Sequence, residues 1–274
     1  MAKLNVNKES IIKGIYNGTY NVTKLPKELY EATAEELKYV VDKGYGLDDM
    51  SDSDYDMLDD LTDNIFMFSA AKTFQQINEM QDALKDDDGD ELDLAAFILA
   101  AGSIFDLYND TWLDTEMDTA EWAARSASNW MDFTQSDVEN PYLMYEAEID
   151  GHTCEICEPL DGILIDMNDS FWDENATPQH FYCRCQVKEV TGIESEVKNK
   201  VFNKMRVSTQ EQIKKAVEKS KKHKNPLFNY NPGKERIIFK DKGKNKHPYF
   251  IVKPKFKEFA NNNFGLPMPQ LKTT

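Results

Sequence analysis

Cysteine is scarce in this 274-residue sequence: four residues, all between Thr153 and Cys185, with only four histidines in the whole chain. No run of 18 apolar residues exists, which excludes a membrane-spanning helix. The opening MAKLNVNKESIIKG lacks the apolar centre and small-residue cleavage site of a secretory signal. Thiols confined to one cluster, with no export signal, point to a reducing cytoplasm and a local job for sulfur. Basic residues are nearly missing from the first half: 10 Lys/Arg stand against 34 Asp/Glu over residues 1–150. The balance is 2 against 8 over 151–190 and 20 against 7 over 191–274, for a net charge of -17. The basic end suits nucleic acid or an acidic protein and the acidic end a basic partner; a solvated acidic face beside a basic tail reads equally well.

The length allows one large domain or two small ones. Residues 1–25 read as an irregular arm broken by Gly14 and Gly18. Pro26 opens a predicted helix, PKELYEATAEELKYVVDKG, with Leu29, Thr33, Leu37, Val40 and Val41 at helical spacing. Ser51 or Ser53 caps a second, running toward Leu84. KDDDGDELD (85–93) suggests calcium, but with Gly89 at loop position six, position one is Leu84 and position twelve Ala95, so it reads as a solvated turn capping the next helix. Residues 91–133 are predicted helical throughout, with a stripe through Trp112, Thr115, Thr119, Trp122, Ala123, Ser126 and Trp130 packed on a neighbour. Asn140-Pro141 stops the pattern. YLMYEAEID then alternates as a strand with Leu143, Tyr145, Ala147 and Ile149 on one face, and CQVKEV (185–190) reads as a second strand. Basic helices are expected over 194–224, a linker at Pro226, Pro232 and Gly233, a hairpin from ERIIFKD (235–241) to HPYFIVK (247–253), and an extended tail. The class is α+β: a mainly helical half, a small antiparallel, loop-rich cysteine knot, and a basic helical and hairpin extension.

The cysteines fall as Cys154-x2-Cys157 and, after 25 intervening residues, Cys183-x-Cys185, with His180 three residues before Cys183. Thiolate and imidazole are zinc ligands, and this set offers five donors for four tetrahedral positions. Its spacing departs from a zinc ribbon, so a structural zinc, a metal-free thiol cluster and disulfides all stand as readings. A Cys–His nucleophile would also want an orienting acid and an oxyanion hole, which no motif supplies. Pro159, Leu160, Asp161 and Gly162 after Cys157 read as a turn, not as a redox helix.

The string PYLMYEAEIDGHTCEICEPLDGILIDMNDSFWDENATPQHFYCRCQVKEV and the preceding TWLDTEMDTAEWAARSASNW resemble the phage Mu F-like minor head protein family of tailed bacteriophages. The likeness covers roughly residues 95–190 and carries over Cys154, Cys157, Leu160, Asp161, Gly162, Phe171, Trp172, Pro178, His180, Cys183, Arg184 and Cys185. In these residues Asp161-Gly162 suits a tight turn, Phe171 and Trp172 a small core, and Arg184 a strand position facing away from the cysteines and pairing with a carboxylate such as Asp161. The resemblance divides the chain into an acidic helical region (1–94), a head domain (95–190) and a basic extension (191–274). It implies a non-enzymatic role in head morphogenesis, with the protein inside the capsid after assembly in the host cytoplasm. Its implied partners are the portal protein and other capsid proteins, with effects on DNA packaging or delivery.

Two other functions compete. One is a zinc-stapled DNA-binding module acting through Lys221, Lys222, Lys224, Lys234, Arg236, Lys240, Lys242, Lys244 and Lys246, interleaved with aromatics such as Phe239 and Tyr249. The other is a carrier of a C-terminal effector, for which residues 191–274 supply only His223 and His247 and no catalytic motif.

Overall fold

A computed structural model of the protein describes residues 4–138, 140–190 and 207–269. In chain order the helices and strands are α1 (Lys8–Tyr16), α2 (Lys27–Tyr45), α3 (Asp52–Asp82), α4 (Leu94–Asp106), α5 (Leu113–Thr134), β1 (Tyr142–Glu146), β2 (Leu164–Asp166), α6 (Phe171–Asn175), β3 (Gln186–Val190), α7 (Gln210–Ser220), α8 (Pro232–Glu235) and α9 (Lys257–Asn261). The chain is α+β, mainly helical with one three-stranded antiparallel sheet. It forms two compact units, one of residues 1–40, 62–117 and 239–274, the other of residues 41–61 and 118–238. These units cut across the sequence divisions at 94 and 190.

In the first unit, the expected N-terminal arm is instead α1. Asn7 caps it by accepting from the Ser10 amide, and Ile11, Ile12 and Ile15 make one buried stripe. Gly14 sits inside the helix, not at a break. Lys8 at its start reaches Asp106 of α4 at 2.5 Å. From Leu61 to Ile77, α3 is buried nearly all round, polar residues included. Among its buried polar side chains, Thr73 Oγ1 donates to the Ser69 carbonyl at 2.8 Å, and Lys72 pairs with buried Glu116 of α5. Asp93 caps α4 at 2.8 Å, as the acidic turn predicts. Between α4 and α5 the helix widens into a π-turn, Leu107–Trp112, which buries Tyr108 and Asn109. Tyr108 Oη donates to Glu79 at 2.7 Å.

Residues 239–269 complete this unit as a strap over α3. Asn64 grips one strap residue at both backbone groups: its Nδ2 donates to the Phe239 carbonyl at 2.9 Å and its Oδ1 accepts from the Phe239 amide at 2.7 Å. Gln75 Nε2 donates to the carbonyls of Tyr249 and Ile251 at 3.1 and 3.0 Å. Tyr30 Oη donates to the Pro267 carbonyl. Phe239 stacks on Phe68 at 3.8 Å, and Phe264 on Phe74 at 4.7 Å. No strand occurs among the described residues from 235 to 253, so the expected hairpin is absent. The two runs share one backbone bond, from the His247 amide to the Lys240 carbonyl at 2.7 Å; Phe239, Tyr249 and Ile251 instead bond to the Asn64 and Gln75 side chains, and Pro248 opens a 3-10 turn.

The second unit holds the sheet, in order β2-β1-β3, both pairings antiparallel. Tyr145 faces Val187 and Leu143 faces Glu189. Leu143, Tyr145 and Ala147 lie buried as the alternation predicts, but Ile149 is 62% exposed because the strand has already ended at Glu146. Trp172 and Phe171 meet edge to face at 4.8 Å in a core with Leu160, Ile163, Trp130 of α5 and Ile213 of α7. Of the α5 stripe, Thr119, Ala123, Ser126 and Trp130 are buried, whereas Trp122 is only partly covered and stacks with Arg125. Thr209 and Gln212 form a capping box on α7; the earlier part of the expected 194–224 helices lies outside the described residues. Pro232 and Gly233 do not form a linker. They are buried in α8, and a Cβ built on Gly233 would lie 2.3 Å from the Trp130 Cβ.

Candidate metal centre

The sheet brings the two cysteine groups together. After β1, Thr153 closes a turn by donating to the Glu148 carbonyl at 2.8 Å and accepting from the Asp150 amide at 2.7 Å. The Cys157 amide then donates to the Cys154 carbonyl at 3.2 Å, curling both side chains inward. Gly162 at φ 71° reverses the chain, and its amide donates to the Tyr145 carbonyl at 2.9 Å, starting β2 beside β1. Asp161 supports this turn by accepting from the Ala147 amide at 2.9 Å. The other group arrives through α6, the cis Thr177–Pro178 bond and the run into β3, which carries Cys183 and Cys185.

Two overlapping triples of donor atoms result, Cys154/Cys157/His180 and Cys157/Cys183/Cys185, each with its atoms within 4.8 Å of one another. Cys157, Cys183 and Cys185 are buried and Cys154 half-buried; all four thiols are free. Cys157 Sγ lies 3.9 Å from Cys183 Sγ, and Cys154 Sγ lies 3.1 Å from His180 Nε2. His180 Nδ1 is 2.7 Å from the Phe181 carbonyl, which can only accept, so Nδ1 carries the proton and the Nε2 lone pair points at the cluster. Tyr145 Oη donates to Cys157 Sγ at 3.3 Å. The electrostatics are those of crowded thiols. Hydrogen bonds from Cys157 and then Cys185 hold Cys183 well below the ordinary thiol range, while ionising Cys157 beside Cys183 is pushed far up. Three thiols so close can all ionise only with a cation between them, and this donor set, with its oriented imidazole, could hold a soft or borderline metal ion.

The motif residues surround this cluster. Leu160, Phe171 and Trp172 form its apolar backing, and Pro178 precedes His180. Arg184 is exposed and pairs with Asp150 at 2.8 Å, not with Asp161, whose carboxylate is spent on the Ala147 amide. Tyr145 is a member of the site that the sequence marked only as a buried strand residue.

The nine basic residues of the DNA reading differ in burial and pairing. Lys224 is buried, its Nζ donates to the Glu174 carbonyl, and burial lowers its pKa to about 7 against the pull of Glu174 and, more weakly, of Cys157 and Cys183. Lys221 pairs with Glu174 at 3.2 Å, Lys234 with Asp173 at 2.7 Å, and Arg236 with Asp60. Lys222, Lys242 and Lys244 are exposed, and Lys240 and Lys246 are partly covered. Residues 221–236 belong to the second unit and 240–246 to the first.

Residues 69–188 match the family model described as Phage Mu protein F like protein, a span reaching from within α3 to β3 and including all five donors. No curated protein and no solved structure matches the chain significantly. Residues 69–188, under half of the chain, are thus similar to phage Mu F-like, head-related proteins, and the motif from Cys154 to Cys185 lies in the last third of that span.

Proposed function

We propose that this protein is a minor head protein of a tailed bacteriophage, a non-enzymatic component that sits on the inner side of the capsid, associates with the portal and acts in DNA packaging or delivery. The observation that carries the reading is the family match across a segment that includes a largely buried Cys/His cluster in its last third. We take the staple to be one zinc ion, held by four of Cys154, Cys157, His180, Cys183 and Cys185. A bound zinc supplies a cross-link that replaces thiol repulsion with coordination. Around it Tyr145 donates to Cys157 and the Phe181 carbonyl orients His180. Mass spectrometry of purified virions should find the protein at low copy number, and portal protein should retain it in a pull-down. Absence from particles would sink the head assignment. Elemental analysis of protein purified without chelator should give one zinc per chain; none, with four freely titrating native thiols, overturns the staple alone. A contact with packaged DNA is the second reading, favoured by exposed Lys222, Lys242 and Lys244. Binding should be weak and steeply salt-dependent. Replacing Lys222 and Lys244 by Glu tests it without removing the strap, which a truncation would do.

A further inference from the structure

Within the first unit the strap and α9 frame a groove of about 580 Å3. Met67, Phe250 and Phe264 line it with apolar surface, and Lys242, Lys246 and Lys257 stand among them. Asp241, the one carboxylate in the lining, lies 3.3 Å from Lys242 and is itself largely covered, its side chain 10% exposed. The groove therefore offers an apolar floor under a cationic rim. At its margin Met268 is 38% exposed, and Ile251, next in sequence to Phe250, is 59% exposed. Such a surface selects an apolar side chain flanked by carboxylates.

The same chain carries that chemistry in the segment LDDMSDSDYD, Leu47 to Asp56, which joins α2 to α3. It has five carboxylates and no basic residue. Leu47 and Tyr55 are 53% and 50% exposed, so two large apolar side chains stand among these carboxylates. Asp54 works internally, accepting from the Ser51 amide and Tyr45 Oη at 2.9 Å each. Asp48, Asp49, Asp52 and Asp56 face solvent.

We infer that the protein self-associates, the acidic 47–56 segment of one copy docking in the lysine-rimmed groove of a second copy. The contact joins unlike surfaces, so it is heterologous: each copy keeps one groove and one segment available, and association runs on to a ring or an open chain. A phosphate backbone would satisfy the lysines but not the Met and Phe floor, whereas Leu47 and Tyr55 use both. The attraction involves exposed charges and weakens with salt.

Light scattering coupled to gel filtration on the full chain, without any partner, at rising concentration in low and high salt tests this. Wild-type protein should form species larger than a monomer, lost near 0.5 M salt where screening lengths fall to roughly 4 Å. Lys242→Glu/Lys246→Glu/Lys257→Glu and, separately, Asp48→Lys/Asp56→Lys should each weaken association at least about tenfold. Circular dichroism checks that both variants stay folded. Mixing the two should restore association, because each reversed surface then meets its complement. Leu47→Ser/Tyr55→Ser should weaken it while leaving its salt dependence intact. A wild-type monomer at all concentrations overturns the proposal, as do variants that associate undiminished. Loss of binding to short DNA in the lysine variant, with self-association unchanged, overturns it in favour of nucleic acid in the groove.

Discussion

Buried charge in the first unit gathers around Lys72, Glu116, Tyr249 and His247. Lys72 and Glu116 are both buried and answer each other, with Tyr249 Oη donating to Glu116 at 2.9 Å. Removing one partner strands the other's charge, so Lys72→Met should cost about 3–5 kcal/mol in urea unfolding, and adding Glu116→Leu should recover part of it. His247 is packed against Phe68 and Tyr249, and burial, with repulsion from Lys72, lowers its pKa to about 3. The unfolded chain thus binds a proton near the ordinary histidine value of roughly 6.5 that the folded chain refuses. Stability from this group is complete above that value and is lost as pH falls through it toward the folded pKa. Between pH 7 and 5 the loss should be about 2 kcal/mol. His247→Gln should flatten that part of the pH profile, and an unchanged slope would show that other groups carry it. Arg184 is the opposite case. Its pair with Asp150 is exposed on both sides and screened by solvent, and Arg184→Ala should leave the urea unfolding midpoint essentially unchanged.

Among the elements, those with a strong local signal were legible. Pro26 before α2, Ser51 before α3 and the Asp93 cap of α4 fall where the sequence puts them, as do β1 and β3. The cysteine groups were readable as one site because the two strands flanking them had to pair. What was hidden depends on distant partners. The apolar runs ERIIFKD and HPYFIVK read as strands, yet Asn64 claims backbone groups of the first and Gln75 of the second, each some 175 residues earlier in the chain. The π-turn at Leu107–Trp112 leaves no mark in hydrophobic periodicity, and it shifts which α5 residues are buried, so Trp112 and Thr115 are only partly covered. α1 was missed through its glycine, although Asn7 and the Ile11, Ile12, Ile15 spacing carried the signal. Gly233 makes a direct test of α8. Gly233→Ala would press a methyl into Trp130 and should destabilise by about 1–3 kcal/mol in thermal or urea unfolding. Gly151→Ala, with nothing within 4 Å, should stay within about 0.5 kcal/mol.

For the molecule as a whole, the acidic and basic halves do not map onto separate bodies, since each unit draws on both. Removing a bound metal should therefore act on the second unit's core, where Cys157, Cys183 and Cys185 pack with Trp172 and Ile213. Chelation should lower the unfolding temperature reversibly, and zinc should restore it; no shift on chelation would speak against a stapling ion. The strap sets a different constraint, one of timing. Helices α1, α4 and most of α3 are synthesised well before Phe239, the first strap residue, which follows Met117 by more than a hundred positions. At roughly 5–20 residues per second, translation leaves them waiting for about ten seconds without the segment that covers α3. During that interval Asn64, Phe68 and Phe74 lack their strap partners, and the buried Lys72–Glu116 pair lacks the Tyr249 hydroxyl. A nascent chain stalled before residue 239 should then expose a sticky, half-built helical face to chaperones, and protection of that face should appear only once the strap has left the ribosome.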